Sequence, residues 1–217
     1  MAYVEDENGD FVTCVPEGFS CGSNPLKEKE KQLFKDYQAF NLPNKIIERA
    51  VKIYMIVLNG ITFKQKKRRS MMCKCAYEAY KENNIAKDPI LLAIKFDIEV
   101  KKLRDAQDEF YGRLHAAGLS SQFPKKHLNA HELLPDVASA LEAKDVPFDD
   151  LSILIESLYA SSMLLNRVSP RDISISTIHW YVNRDRQTIS FERTQSITLI
   201  AHATLVKIVN AIQQLVK

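Results

Sequence analysis

The sequence predicts an all-α protein, with two tandem five-helix units following a short non-helical N-terminal arm. Three observations point to this. Beyond residue 25, apolar side chains recur at spacings of three and four, the pattern of amphipathic helices. Proline stands at predicted helix starts, while Asn-Gly, Asn-Asn or glycine marks predicted stops. The order of elements after the connector repeats the order before it. The divisions are an acidic irregular arm at 1–25, a first repeat at 26–116, a linker at 117–128 and a second repeat at 129–217.

The arm carries Gly9, Pro16, Gly18, Gly22 and Pro25 among acidic and small residues, which is turn chemistry without helical period. Its run Phe11 to Val15 suits an extended segment lying on a partner or on the body. Leu33, Phe34, Tyr37 and Phe40 form the stripe of a first helix beginning near Leu26. Pro43 is placed as a first-turn residue of a second helix, with Ile46, Ile47, Ala50, Ile53, Tyr54, Val57 and Leu58 in period before Asn59-Gly60. The basic stretch Lys64 to Arg69 leads into a third helix bearing Met71, Met72, Cys75, Ala76, Ala79 and Tyr80. Small residues admit close neighbours, so this helix is expected at the centre. Asp88-Pro89 reads as N-cap and first-turn proline of a short fourth helix, Pro89–Ile94. The fifth helix is expected over Asp97 to His115, with Gly118 as its stop.

After a linker containing Gly118, Ser120, Ser121 and Pro124, helices are expected over His131–Ala143 and Phe148–Asn166. Ser169-Pro170 opens a third, carrying Ile173, Ile175, Ile178 and Tyr181; its β-branched residues would equally suit a strand. Ser190 with Arg193 gives a partial capping signal for a fourth, and Thr204 to Val216 forms the last.

The totals fit a folded chain: 46% of the 217 residues are hydrophobic and 26% charged. No apolar run approaches the ~20 residues of a membrane helix. Met1 to Asp10 is acidic where a signal peptide is basic and then apolar, so the expected compartment is nucleus or cytoplasm, with the four cysteines reduced. The net charge of +3 conceals an asymmetry: −5 over residues 1–25, +8 over 26–115 and zero beyond. A basic half attracts polyanions at long range.

The run Lys64, Lys66, Lys67, Arg68 and Arg69 suits backbone contact with a nucleic acid or a nuclear import signal, and equally a solvated helix start. Lys101, Lys102 and Arg104, with Lys95 nearby, form a second cluster at the start of the fifth helix; Asp105, Asp108 and Glu109 offer it local balance. In the last helix Lys207 is the only basic residue before Lys217. Cys73 and Cys75 are two apart, about 200° around a helix, and read as core rather than metal ligands. His127 and His131, four apart, lack a third ligand. Neither a phosphate-cradling glycine loop nor a nucleophile elbow is present, so no enzyme activity, cofactor, metal or small-molecule substrate is expected.

Over residues 26–217 the chain resembles the core of transcription factor IIB and its relatives, which share the cyclin-box fold. The resemblance is carried by Arg69 to Tyr80 (RSMMCKCAYEAY), Asp88 to Ile94 (DPILLAI), Val168-Ser169-Pro170, and Ser196 to Ile212 (SITLIAHATLVKIVNAI). The last of these is similar to the family's closing helix-turn-helix. The resemblance implies two cyclin-like repeats and a transcription initiation factor that binds double-stranded promoter DNA. It also implies a TATA-binding protein or equivalent as partner and recruitment of RNA polymerase. DNA contacts would fall to Lys64, Lys66, Lys67, Arg68, Arg69, Lys101, Lys102, Arg104 and Lys207. The sequence departs from the family in two places. Cys14 and Cys21 are seven apart with no further Cys or His before Cys73, so the family's N-terminal zinc ribbon cannot be built. His202-Ala203-Thr204 stands where the family turns on a glycine. Such compact divergence fits a member carried by a large DNA virus, acting at the viral replication site. The same fold also serves cyclin-like regulatory subunits of protein kinases and would serve a virion scaffold.

Overall fold

The computed structural model describes residues 3–5, 11–13, 25–58, 63–123, 128–161, 168–184 and 189–216. The body is all-α. In the arm, β1 (Tyr3–Glu5) and β2 (Phe11–Thr13) pair antiparallel, Val4 opposite Val12. The expected irregular arm therefore contains a pair of short antiparallel strands, while Cys14 and Val15 lie outside the described residues. Ten α-helices follow among the described residues: α1 (Pro25–Gln38), α2 (Asn44–Leu58), α3 (Gln65–Glu82), α4 (Pro89–Lys95), α5 (Val100–Ala116), α6 (Ala130–Ala140), α7 (Phe148–Ser161), α8 (Pro170–Arg184), α9 (Phe191–Thr198) and α10 (His202–Leu215).

Helices α1 to α5 enclose one apolar core, α6 to α10 another, and no buried side chain belongs to both. At the centre of the first lies α3, packed between α2 and α5 and touching α4. Its small Cys73, Cys75, Ala76 and Ala79 are fully buried and let those neighbours close in. Tyr37 of α1 donates its hydroxyl to the Met72 carbonyl at 2.9 Å, so this deep phenol is satisfied. In the second group α8 is central, contacting α6, α7 and α10. Every residue from Ile173 to Trp180 is buried, which is why helix wins over strand despite the β-branched residues: packing on all sides overrides propensity. Ser174 and Ser176 satisfy their hydroxyls on the Pro170 and Asp172 carbonyls one turn back.

Helix boundaries follow cap chemistry. Asp88 accepts the Ile90 N–H at 2.8 Å and Pro89 occupies the first turn of α4, as the sequence predicts. Ser169 accepts the Asp172 N–H and Ser190 the Arg193 N–H. Pro43 instead stands outside α2, where its carbonyl accepts the first helical bond from Ile47 at 3.0 Å. Helix α5 begins at Val100, three residues later than expected. Asp97 adopts φ 52° and closes α4, as the Ile98 N–H reaches the Ala93 carbonyl. The same closure ends α3 at Asn84, α5 at Gly118 and α6 at Glu142.

The last turn is also relocated. His202, Ala203 and Thr204 form the first turn of α10, and the chain reverses at Leu199, which takes φ 58° with its side chain half exposed. The expected linker is partly core: Phe123 is buried edge-on against Phe110, after the short 3₁₀ turn Ser120–Gln122. Residues 124–127 and the expected continuation of α7 beyond residue 161 lie outside the described residues. Among the described residues no single helix is long and apolar enough to cross a membrane.

Because a Cβ crowds the backbone in the left-handed region, Leu199→Gly should stabilise the fold by about 1 kcal/mol. The expected outcome is a higher midpoint in thermal unfolding followed by circular dichroism.

Candidate nucleic-acid interface

The basic run lies within the opening turns of α3, and Lys64 is its N-cap, making no side-chain cap bond. Helix α3 has no acidic residue in its first turn, and α5 has none beyond its N-cap Glu99. Cations there oppose the positive end of the helix dipole, so this placement is unfavourable for the isolated helices. It favours an external anion.

The structure sorts the cations by partner. Lys67 pairs with Glu109 at 2.6 Å and lies over the Phe63 ring. Bonds from Lys67 and Arg113 hold the Glu109 carboxyl below its ordinary range. Arg68 pairs with Asp36, Arg69 with Asp97 at 2.8 Å and Lys102 with Asp105 at 3.2 Å. Lys64, Lys66, Lys101, Arg104 and Lys207 are exposed, with no ion-pair partner among the described residues.

Parts of both clusters line one groove of about 1060 Å³, while Lys64, Lys101 and Arg104 are not among its lining residues. Lys66, Arg68 and Arg69 line it from α3 and Lys102 from α5; Phe40, Met72 and Ile98 supply apolar surface, and Asp36, Asp97 and Glu99 supply negative charge. Lys207 does not join them, since it lies on α10 of the other group. Neither a family model nor a curated protein aligns with the chain.

The two cysteines of α3 are core residues. Burial pushes the Cys73 thiol up to about 12 and the Cys75 thiol well above its ordinary value, so both stay protonated. His179 is buried with Nδ1 2.8 Å from Thr194 Oγ1, and burial lowers its pKa, leaving a neutral ring. His131 is exposed at the start of α6; His127 lies outside the described residues.

Sequence reasoning missed a buried ion cluster on α3. Lys74 and Glu78 pair at 2.5 Å, Lys81 reaches Glu78 at 2.9 Å and the Tyr111 hydroxyl donates to Glu78 at 3.2 Å. The Lys74 ammonium sits 4.8 Å from the Tyr111 ring centroid and 5.3 Å from that of Phe110, contacts that offset part of its desolvation. The available signal was a Lys and a Glu four apart on a stripe of small core residues.

Two outcomes follow from these buried groups. Glu78→Gln leaves the Lys74 ammonium uncompensated and should cost about 3 kcal/mol in urea unfolding, whereas Lys74→Met combined with Glu78→Leu should cost far less. Burial raises the phenols of Tyr54 and Tyr77 to about 12 and lifts those of Tyr37 and Tyr111 as well. An unfolded tyrosine ionises near ~10, so the folded state keeps protons that the unfolded state releases. Their contribution is complete below that pH and is lost as pH rises through about 12. The urea midpoint should fall over this window, in step with tyrosinate absorbance.

Proposed function

We propose that the chain is the core of a transcription initiation factor of the IIB type. In this reading α1–α5 and α6–α10 are two cyclin-like repeats that grip promoter duplex together with a TATA-binding-protein-like partner and recruit RNA polymerase. The observation that carries it is a groove lined by Lys66, Arg68 and Arg69 from the start of α3 and by Lys102 from the start of α5, with Lys64, Lys101 and Arg104 exposed on the same helix starts. Further support comes from the order of elements: the third helix, α3 or α8, is central in each group.

The cations free of carboxylates, Lys64, Lys66, Lys101 and Arg104, are the ones assigned to phosphates. Lys67, Arg68, Arg69 and Lys102 would first have to give up Glu109, Asp36, Asp97 and Asp105. Lys207 makes at most an isolated contact, so the first group dominates binding. The protein acts by binding, without catalysis or cofactor, in the nucleus, the cytoplasm or a viral replication site.

The apolar side chains in the groove, Phe40, Met72, Ile94 and Ile98, favour a second reading, a cyclin-like regulatory subunit whose first group docks a kinase. A scaffold role for the same fold has no comparable feature in its support.

Duplex affinity measured by fluorescence anisotropy across a salt series separates these readings. Each phosphate contact contributes about 0.9 to the slope of log affinity against log salt, so Lys66→Ala with Lys101→Ala should flatten it by about 2. Arg68→Ala with Arg69→Ala should flatten it less. An unchanged slope in the first pair would remove this surface from DNA binding, and capture of a kinase without polymerase subunits would favour the second reading.

A further inference from the structure

A buried polar network links the two groups. Asp88, fully buried at the start of α4, divides its carboxylate between them. One oxygen caps its own helix through the Ile90 N–H, and the other accepts from Arg171 Nε of α8 at 2.7 Å. A second nitrogen of the Arg171 guanidinium donates to the Thr198 carbonyl at the end of α9. On the other side, Asp136 of α6 accepts the Asp88 backbone N–H at 2.8 Å and pairs with Lys87. Four side chains thus tie α4 to α6, α8 and α9.

We propose that this Asp88–Arg171–Asp136 network is a latch fixing the angle between the groups, and that breaking it lets them swing apart as intact bodies. Three features carry the proposal. The two cores share no buried side chain, so separation leaves each interior closed. The groups are joined covalently through a single connector, from Ala117 to Asn129. Charged groups parted from each other regain water, whereas apolar ones do not, so opening this junction is far less costly than opening either core. A partner touching both groups can therefore set their angle at modest cost. The latch does not rest on DNA binding.

Hydrogen exchange of the full chain tests it, because the Asp88 amide bonds across the junction while the Ala76 and Ile178 amides lie inside α3 and α8. In the wild-type chain the Asp88 amide should exchange faster than those two, as expected for an opening that leaves both interiors folded. Arg171→Met should accelerate it roughly tenfold or more while leaving Ala76 and Ile178 within about twofold, and should raise the radius of gyration in small-angle scattering. Asp136→Ala, on the opposite side of the junction, removes the acceptor of the Asp88 amide and is therefore read by scattering alone: its radius of gyration should rise, which covers the case that Arg171→Met fails to fold, and an unchanged radius would overturn the latch. If the Asp88 amide is as protected as Ala76 and Ile178 in the wild type, or if all three accelerate together in Arg171→Met, the groups open only by unfolding and the latch is overturned.

Discussion

Two helices, α3 and α8, are surrounded by their own group, and this constraint places most of the other elements. Where a helix is enclosed in this way, as α3 is from Ser70 to Ala76 and α8 from Ile173 to Trp180, its neighbours must approach closely and its polar side chains must find partners inside. In α3 the close approach comes from Cys73, Cys75, Ala76 and Ala79, and the internal partners are Lys74 and Glu78. In α8 serine hydroxyls turn back on their own helix, and Thr177 Oγ1 finds no partner among the described residues. The remaining helices stand where they cover these two.

The polar chemistry divides by location. Inside the first group it is a compact charge cluster whose removal by halves is costly. Between the groups it is a network holding surfaces that would otherwise be wet. At the groove it is a partial cancellation: Asp36, Asp97, Asp105 and Glu109 neutralise some cations and leave others to solvent. Under the proposed function this distinction singles out particular residues for phosphate contact, which a count of basic side chains cannot do.

The sequence made helix number and order legible because apolar period and capping residues are local. Asp88-Pro89 and Ser169-Pro170 fixed two starts through chemistry that needs no tertiary information. Several boundaries were illegible because the chain has only six glycines and closes helices with other residues. Asn84 is a recognisable substitute, but Asp97 and Leu199 in left-handed conformation follow from how neighbouring helices meet. At the candidate site both basic clusters were readable; their convergence, and the carboxylates that quiet half of them, depend on packing. The junction was hidden most deeply, since Arg171 and Asp88 are 83 residues apart and each looks locally like an ordinary helix-start residue.

The separation of the two cores also bears on how the chain carries its charge. Like charges on one body repel, and the +8 of residues 26–115 is a self-energy borne by a folded unit. Screening at physiological ionic strength limits that repulsion to about 8 Å, so a group with its own core confines it. The second group balances its own charges to a net of zero, and its charged contacts with the first are the short-range pairs Arg171–Asp88 and Lys87–Asp136. One chain can so present two faces of different electrostatic character without either weakening the other's fold.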